Sequence, residues 1–302
     1  MEMKIGINGT GDLSRIDQVA KAAAKAEQEG FDSFWIAQIF GVDALTTLAL
    51  VGQSVPRIEL GTAVVPTYPR HPMMLAGQAL TVQQATDNRL ALGIGLSHQI
   101  VVESMWGYSF ARPVRHMREY LAALLPMLKG EAASVSGEEV FSQGSVDVAD
   151  ATAPPVVVAA LGSQMLKVAG SVGCGTITWC TGEKALLDHV VPGITRAAED
   201  AGHPRPRVVA GLPVCVTDDP AAAKAVVAEQ LALYGGLPSY RAMLDLDQAA
   251  GPEDVAIIGN EAQVTAALQR LSDGGVTDFA AVIAASNGED RDATRALLRS
   301  LL

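Results

Sequence analysis

Eight short runs of apolar, often β-branched residues recur along the chain, and nearly every one is followed by a stretch with helical spacing. The runs cover residues 3–8, 31–37, 58–65, 89–95, 155–160, 175–180, 207–216 and 276–284. Most are apolar throughout rather than alternating, the pattern of strands buried on both faces. Between the first two runs, Ile16, Val19, Ala20 and Ala23 repeat at helical spacing, with Ser14 as a candidate cap and Gly30 as the stop. A second helix starts near Asp43 and must end before Pro56, and a third covers "MMLAGQALTVQQAT". Parallel strands covered by helices on their outer faces explain this order, and eight such units fit a closed (β/α)8 TIM barrel. An open doubly wound sheet is the alternative. The 302 residues show no linker, repeat or low-complexity tract, so a single barrel domain over 1–302 is expected.

Two insertions exceed a minimal barrel. One follows the fourth strand over residues 99–155, with a short helix, an aromatic loop, a longer helix and a polar, turn-rich tract that holds a small hairpin. The other lies near residues 234–260. Loops after barrel strands carry the chemistry, so both insertions are expected to set substrate specificity.

Composition narrows the function. With 49% hydrophobic and 18% charged residues, a large core is expected. The net charge of −11 argues against nucleic acid and anionic membrane surfaces as partners. No apolar run is long enough for a membrane span, and the start "MEMKIGINGTGD" lacks the regions of a signal peptide. Cys174, Cys180 and Cys215 are odd in number and match no metal spacing. They are expected reduced and buried, in a cytoplasmic protein.

The residues at the strand ends are mostly small and uncharged. They include Asn8, Gly9, Gln38, residues 63–66, Ser97, His98, residues 160–164 and 178–180, and Pro213. They hold no paired carboxylates, metal cluster or Ser-His-Asp set, which disfavours a hydrolase or a metal enzyme. A pocket for a large flat cofactor with its own reactivity suits such a lining. In "AALGSQMLKVAG" a strand runs through a Leu-Gly turn into a helix that Ser163 would cap, either a phosphate site near Gly162 or a plain connection. In "LALGIGLSHQ", Gly93 and Gly95 let the strand pack against something flat, and His98 is a ligand donor or an exposed loop histidine. The apolar run "LGTAVVPTYPRHP" stops on a proline-stiffened basic loop. Its Arg70 and His71 hold an anion, cap the next helix or pair with a carboxylate. Residues 111–118, "ARPVRHMR", form a solvated helix face or a strip that attracts a polyanionic tail.

With these residues in view, the sequence resembles the luciferase-like monooxygenase superfamily, and within it the coenzyme F420-dependent, methylenetetrahydromethanopterin reductase-like branch. The likeness is carried by "GFDSFWIAQIFGVDALTTLAL", "LGTAVVPTYPRHPMMLAGQALTVQQATDNRLALGIGLSH", "WGYSFARPVRHMREYL", "PPVVVAALGSQMLKVAG" and "GTITWCTG". It implies a hydride-transferring barrel, a homodimer, that binds the deazaflavin F420 at the C-terminal mouth and acts on a small organic substrate. It also implies a non-proline cis peptide at Ala63–Val64, whose bulge, with Pro66 after it, backs the cofactor ring. Gln38, Ser97 and His98 would hydrogen-bond the ring. Ala160, Leu161, Gly162, Ser163 and Gln164, with Thr176, Ile177 and Thr178, would border the cofactor side chain and phosphate. Where many relatives end the second strand on an Asp-His pair, this chain has Gln38 and Ile39, and the acid found after strand four is replaced by Ser97 or His98. That departure favours a reductase in which Gln38 orients and His98 or solvent supplies the proton. An FMN-dependent monooxygenase and a non-catalytic flavin or deazaflavin carrier are the alternatives.

Overall fold

The computed structural model describes residues 2–9 and 14–302. The reading of the chain start against a signal peptide rests partly on Met1 and residues 10–12, which lie outside the described residues. The strands, in order, are β1 (Lys4–Asn8), β2 (Ser33–Ile36), β3 (Glu59–Thr62), β4 (Val65–Pro66), β5 (Leu90–Gly95), β6 (Ala133–Ser136), β7 (Phe141–Gly144), β8 (Val156–Val158), β9 (Gly175–Trp179), β10 (Val208–Val216), β11 (Ile257–Gly259) and β12 (Asp278–Ile283). Eight of these, β1, β2, β3, β5, β8, β9, β10 and β12, match the eight apolar runs. They hydrogen-bond in the order β12-β1-β2-β3-β5-β8-β9, and β10 pairs with both β9 and β12. The sheet therefore closes as a (β/α)8 barrel, and the open sheet is set aside.

Contacts gather into two compact units. One takes the chain through Asn8, Ala26–Phe34 and Ala160–Leu302. Its core includes Ile5, Val209, Leu212, Leu268, Phe279 and Leu298, each 1% exposed or less. At the start of β10 and β12, Arg207 grips Asp278 through Nε at 3.1 Å and a second nitrogen at 2.5 Å, while Thr277 Oγ1 donates to the same carboxylate. This bidentate pair sits at the N-terminal ends of its strands, the end that barrels devote to stability.

The other unit takes Gly9–Lys25 and Trp35–Ala159. Trp35, Leu45, Leu48, Leu60, Leu75, Leu90, Leu92 and Ile94 fill it. Trp35 lies directly on Gly61, where a Cβ would fall 2.1 Å from the indole Cε3, so the strand must be bare at that point. The helix Ala44–Val51 starts on Asp43, whose carboxylate accepts from Thr46 N–H.

The insertions have the expected character. After β5 come a π-helical turn at Val101–Met105, the helix Pro113–Leu128 and the antiparallel hairpin β6–β7. The second insertion lies near residues 234–260, as expected. Helices Pro220–Gly236 and Pro238–Leu246 follow β10 directly, then a turn at Pro252–Asp254 and the three-residue β11, which extends the edge of β10. Three residues are too few for β11 to register as a strand in the sequence.

Candidate active site

The third strand does not run straight to its end. Gly61 pairs with Ala91, and pairing resumes at Val65 with Ile94. Four steps on one strand therefore face three on the other, which defines a β-bulge. The Ala63–Val64 peptide inside it is cis, at the position that the family resemblance implied. On the side of β2, Ala63 N–H donates to Ile36 O at 2.7 Å and Val64 O accepts from Gln38 N–H at 3.1 Å. On the side of β5, the Thr62 hydroxyl donates to Gly93 O at 2.7 Å and accepts from Gly93 N–H at 2.8 Å. A side chain thus replaces the ladder partners that the bulge removes.

Gly93 and Gly95 make this possible. A Cβ at Gly93 would lie 1.8 Å from the Thr62 carbonyl oxygen, and one at Gly95 would lie 2.7 Å from Val64 Cγ2. What the two glycines admit is the neighbouring strand's bulge, not a flat ligand. Gln38 is committed on one side only. Its Oε1 accepts from Ala44 N–H at 2.7 Å, which leaves the side-chain NH2 as its donor.

The loop "PTYPRHP" holds these strand ends in place. Arg70 pairs with Asp43 at 2.6 Å, which settles it as a structural cation. His71 caps the helix Pro72–Ala85 by accepting from Met73 N–H through Nδ1 at 3.2 Å, and its Nε2 bonds Phe141 O at 2.8 Å. Tyr68 stacks on His116 with ring centroids 4.0 Å apart, and His116 Nε2 meets Thr67 Oγ1 at 3.0 Å. Burial pushes the His116 pKa down to about 4 and the Tyr68 pKa up to about 12, so both are neutral near pH 7. The Tyr68 hydroxyl is buried without a hydrogen-bond partner. Neither Tyr68 nor His116 stands out in the sequence, because each acts through a contact about fifty residues away.

Two of the three arginines in the basic strip are already paired. Arg112 and Arg115 both pair with Glu138 in the β6–β7 turn, and Arg112 also approaches Glu139 at 3.7 Å. At the end of β5, Ser97 takes a left-handed φ of 63°, uncommon for a residue with a Cβ and enriched at functional turns. His98 follows it, half-buried, and burial lowers its pKa. Its carbonyl accepts from the N–H groups of Val101 and Val102, which anchors the π-helical turn.

In the other unit, Ala160 and Leu161 leave β8 for the helix Ser163–Ser171. Thr176 Oγ1 donates to Ala160 O at 3.1 Å, and His189 Nε2 bonds Leu161 O at 2.8 Å. The helix cap is Gly162 rather than Ser163, which already has helical geometry and cannot cap its own helix. No side chain caps this end, so the N–H groups of Ser163 and Gln164 face outward, and nothing lies within 4 Å of a Cβ built on Gly162. Along β9, Thr176 and Thr178 share one face and Ile177 takes the other. The Thr176 hydroxyl is engaged, whereas the Thr178 hydroxyl is buried without a partner. The Thr178 hydroxyl and the start of this helix are thus donors without a side-chain partner.

A family model for the luciferase-like monooxygenases matches residues 3–282. The chain belongs to that family. A Mycobacterium tuberculosis protein, named provisionally as a coenzyme F420-dependent oxidoreductase, is 30% identical over 78% of this luciferase-like chain and 73% of its own. The 5,10-methylenetetrahydromethanopterin reductase of Methanolobus tindarius is 29% identical over 71% of this chain and 65% of its own. The solved coenzyme F420-dependent tetrahydromethanopterin reductase of Methanopyrus kandleri shares the fold, with a TM-score of 0.76 at 22% identity over 99% of this chain and 98% of its own.

Two outcomes are expected of this luciferase-like barrel. Thr62→Val keeps the shape but strands both Gly93 groups, so it should cost about 1–3 kcal/mol of stability, read from the urea midpoint, while Thr62→Ser should recover most of the loss. His116 has a folded pKa below its unfolded value, so its contribution is complete above about pH 6.5. It should be lost as pH falls from about 6.5 to 4, by about 3 kcal/mol in all. Unfolding curves between pH 7 and 4.5 should slope less in His116→Gln than in the wild type.

Proposed function

We propose that this protein is a coenzyme F420-dependent oxidoreductase that works as a reductase on a small organic substrate. The donor set carries the reading. In one unit Gln38 keeps its NH2 as a donor, and in the other the Thr178 hydroxyl and the N–H groups of Ser163 and Gln164 are donors, all of them uncharged. Such a set suits a cofactor that brings its own reactivity. The relatives named for F420 or for a reductase support the same choice.

A bound, reduced deazaflavin supplies a hydride from C5. The chain's own residues would do the rest. Ala63, Val64 and Pro66, held by Thr62 and the two glycines, would back the ring. Gln38, Ser97 and His98 would donate hydrogen bonds to it. Ala160, Leu161 and Gly162 would border the cofactor side chain, Thr176 and Ile177 supporting that wall, and Ser163, Gln164 and Thr178 would bind the phosphate end. Gln38 cannot titrate, so it would orient. His98, kept neutral by burial, would relay a proton from solvent rather than store one.

Titration with F420 and, separately, FMN, followed by quenching of cofactor fluorescence, tests this. Tight binding of F420 alone is the expected result. Preference for FMN would move the protein to the oxygen-using members, binding without turnover against any acceptor would make it a carrier, and binding of neither would end the reading.

We also propose a homodimer built on the helices Ala44–Val51 and Pro72–Ala85. The first is apolar on nearly every side, and Leu50, Met74 and Phe141 are more than half exposed on or beside this pair. Sedimentation equilibrium should return twice the chain mass of 31.4 kDa. A mass of one chain would overturn it.

A further inference from the structure

Trp179 is the last residue of β9, at the strand end where barrels place their chemistry. Its ring lies against Gly211 of β10, where a Cβ would be 3.2 Å from the indole Cε3. The ring of Tyr234, from the helix Pro220–Gly236, meets the indole edge-on with centroids 6.0 Å apart. Tyr240, from the next helix, meets Tyr234 in the same manner at 5.2 Å. Cys180 then turns the chain with a left-handed φ of 48°, and Thr181 Oγ1 donates to Trp179 O at 3.1 Å. The indole is thus held by strand, turn and insertion together.

Its N–H, however, is buried and has no hydrogen-bond partner. An indole nitrogen can only donate, and a buried one normally finds an acceptor. Its chain neighbour Cys180 and the two tyrosines are uncharged. Burial raises the pKa values of Cys180, Tyr234 and Tyr240, which keeps all three neutral. Asp247, nearby in sequence to Tyr240, spends its carboxylate on the N–H groups of Gly182 and Ala185. None of these side chains is a cation that would offset the desolvation of a carboxylate or phosphate ligand.

We propose that Trp179 and Tyr234 form the subsite for the organic substrate, an uncharged conjugated or aromatic carbonyl compound whose oxygen accepts the Trp179 indole N–H. The aromatic edges supply the wall for a flat ligand, and the indole fixes its polar end. Trp179 is therefore a specificity-determining residue. The inference deepens the oxidoreductase reading and rests on it for the ligand's role as substrate.

The chain has three tryptophans, so protein with 15N-labelled indoles gives three side-chain signals. Trp179→Phe and Trp106→Phe assign them. Should the first fail to fold, the slow exchange expected of fully buried Trp35 and the second variant still identify the remaining signal. The probes are 2-cyclohexen-1-one and benzaldehyde, with benzoate as the anionic control, added to protein with and without F420. The Trp179 signal should move and saturate with the two carbonyl probes and stay still with benzoate. By calorimetry, Trp179→Phe should weaken benzaldehyde binding roughly threefold to tenfold, the worth of one net hydrogen bond. A Trp179 signal that stays still in both states, equal binding of benzoate, or unchanged affinity in Trp179→Phe would overturn the subsite. F420 binding is scored separately by its fluorescence. A still indole in F420-binding protein defeats the subsite alone, whereas a moving indole in protein that binds no F420 supports the subsite and defeats the F420-dependent reading.

Discussion

The two-way bond between Thr62 and Gly93 is the constraint on which the bulge at the end of the third barrel strand depends. A bulge removes ladder partners, and buried backbone groups left without partners are costly. Here one hydroxyl satisfies both the N–H and the C=O of Gly93, while Ile36 and Gln38 take up the other side. The bulge needs room as well as partners. That room exists only because β5 presents glycine at positions 93 and 95, facing the Thr62 carbonyl and the Val64 side chain. Replacing any one of Thr62, Gly93 or Gly95 alters the same small region, so they act as one unit.

Charge is distributed by the same economy. The basic residues that look available in the sequence are used where the chain must turn. Arg70 braces the start of one helix through Asp43, His71 caps the next, and Arg112 and Arg115 converge on a hairpin carboxylate. Within one unit, the end of β9 keeps two neutral donors without a partner, the Thr178 hydroxyl and the Trp179 indole N–H. A lining of that kind binds and orients, and leaves reactivity to whatever it holds.

Much of the fold was legible because barrel strands are buried on both faces and the pattern repeats eight times. Each apolar run became a strand, shortened by a few residues. Helix boundaries at Asp43 and His71 followed from local capping chemistry. The three-residue β11 went unread because so short a run carries no period. Ser163 read as a cap for a different reason: local preference favours serine there, yet the helix begins one residue earlier than that preference suggests, with glycine at the cap.

By itself the sequence determined the eight barrel strands, the order of the helices between them, the absence of a local acid–base motif and the likeness that points to a bulge at residues 63–64. These depend on neighbours in the chain or on patterns of burial, which survive as periodicity. Only the tertiary structure decided that Thr62 completes Gly93, that Tyr68 stacks on a neutral His116, that the arginines are already paired, and that the indole of Trp179 is enclosed without an acceptor. Each of these is a matter of which distant groups meet and which are left without partners. Hydrogen-bond satisfaction across long sequence separations has no period, and so it leaves no mark that a single chain can be read for.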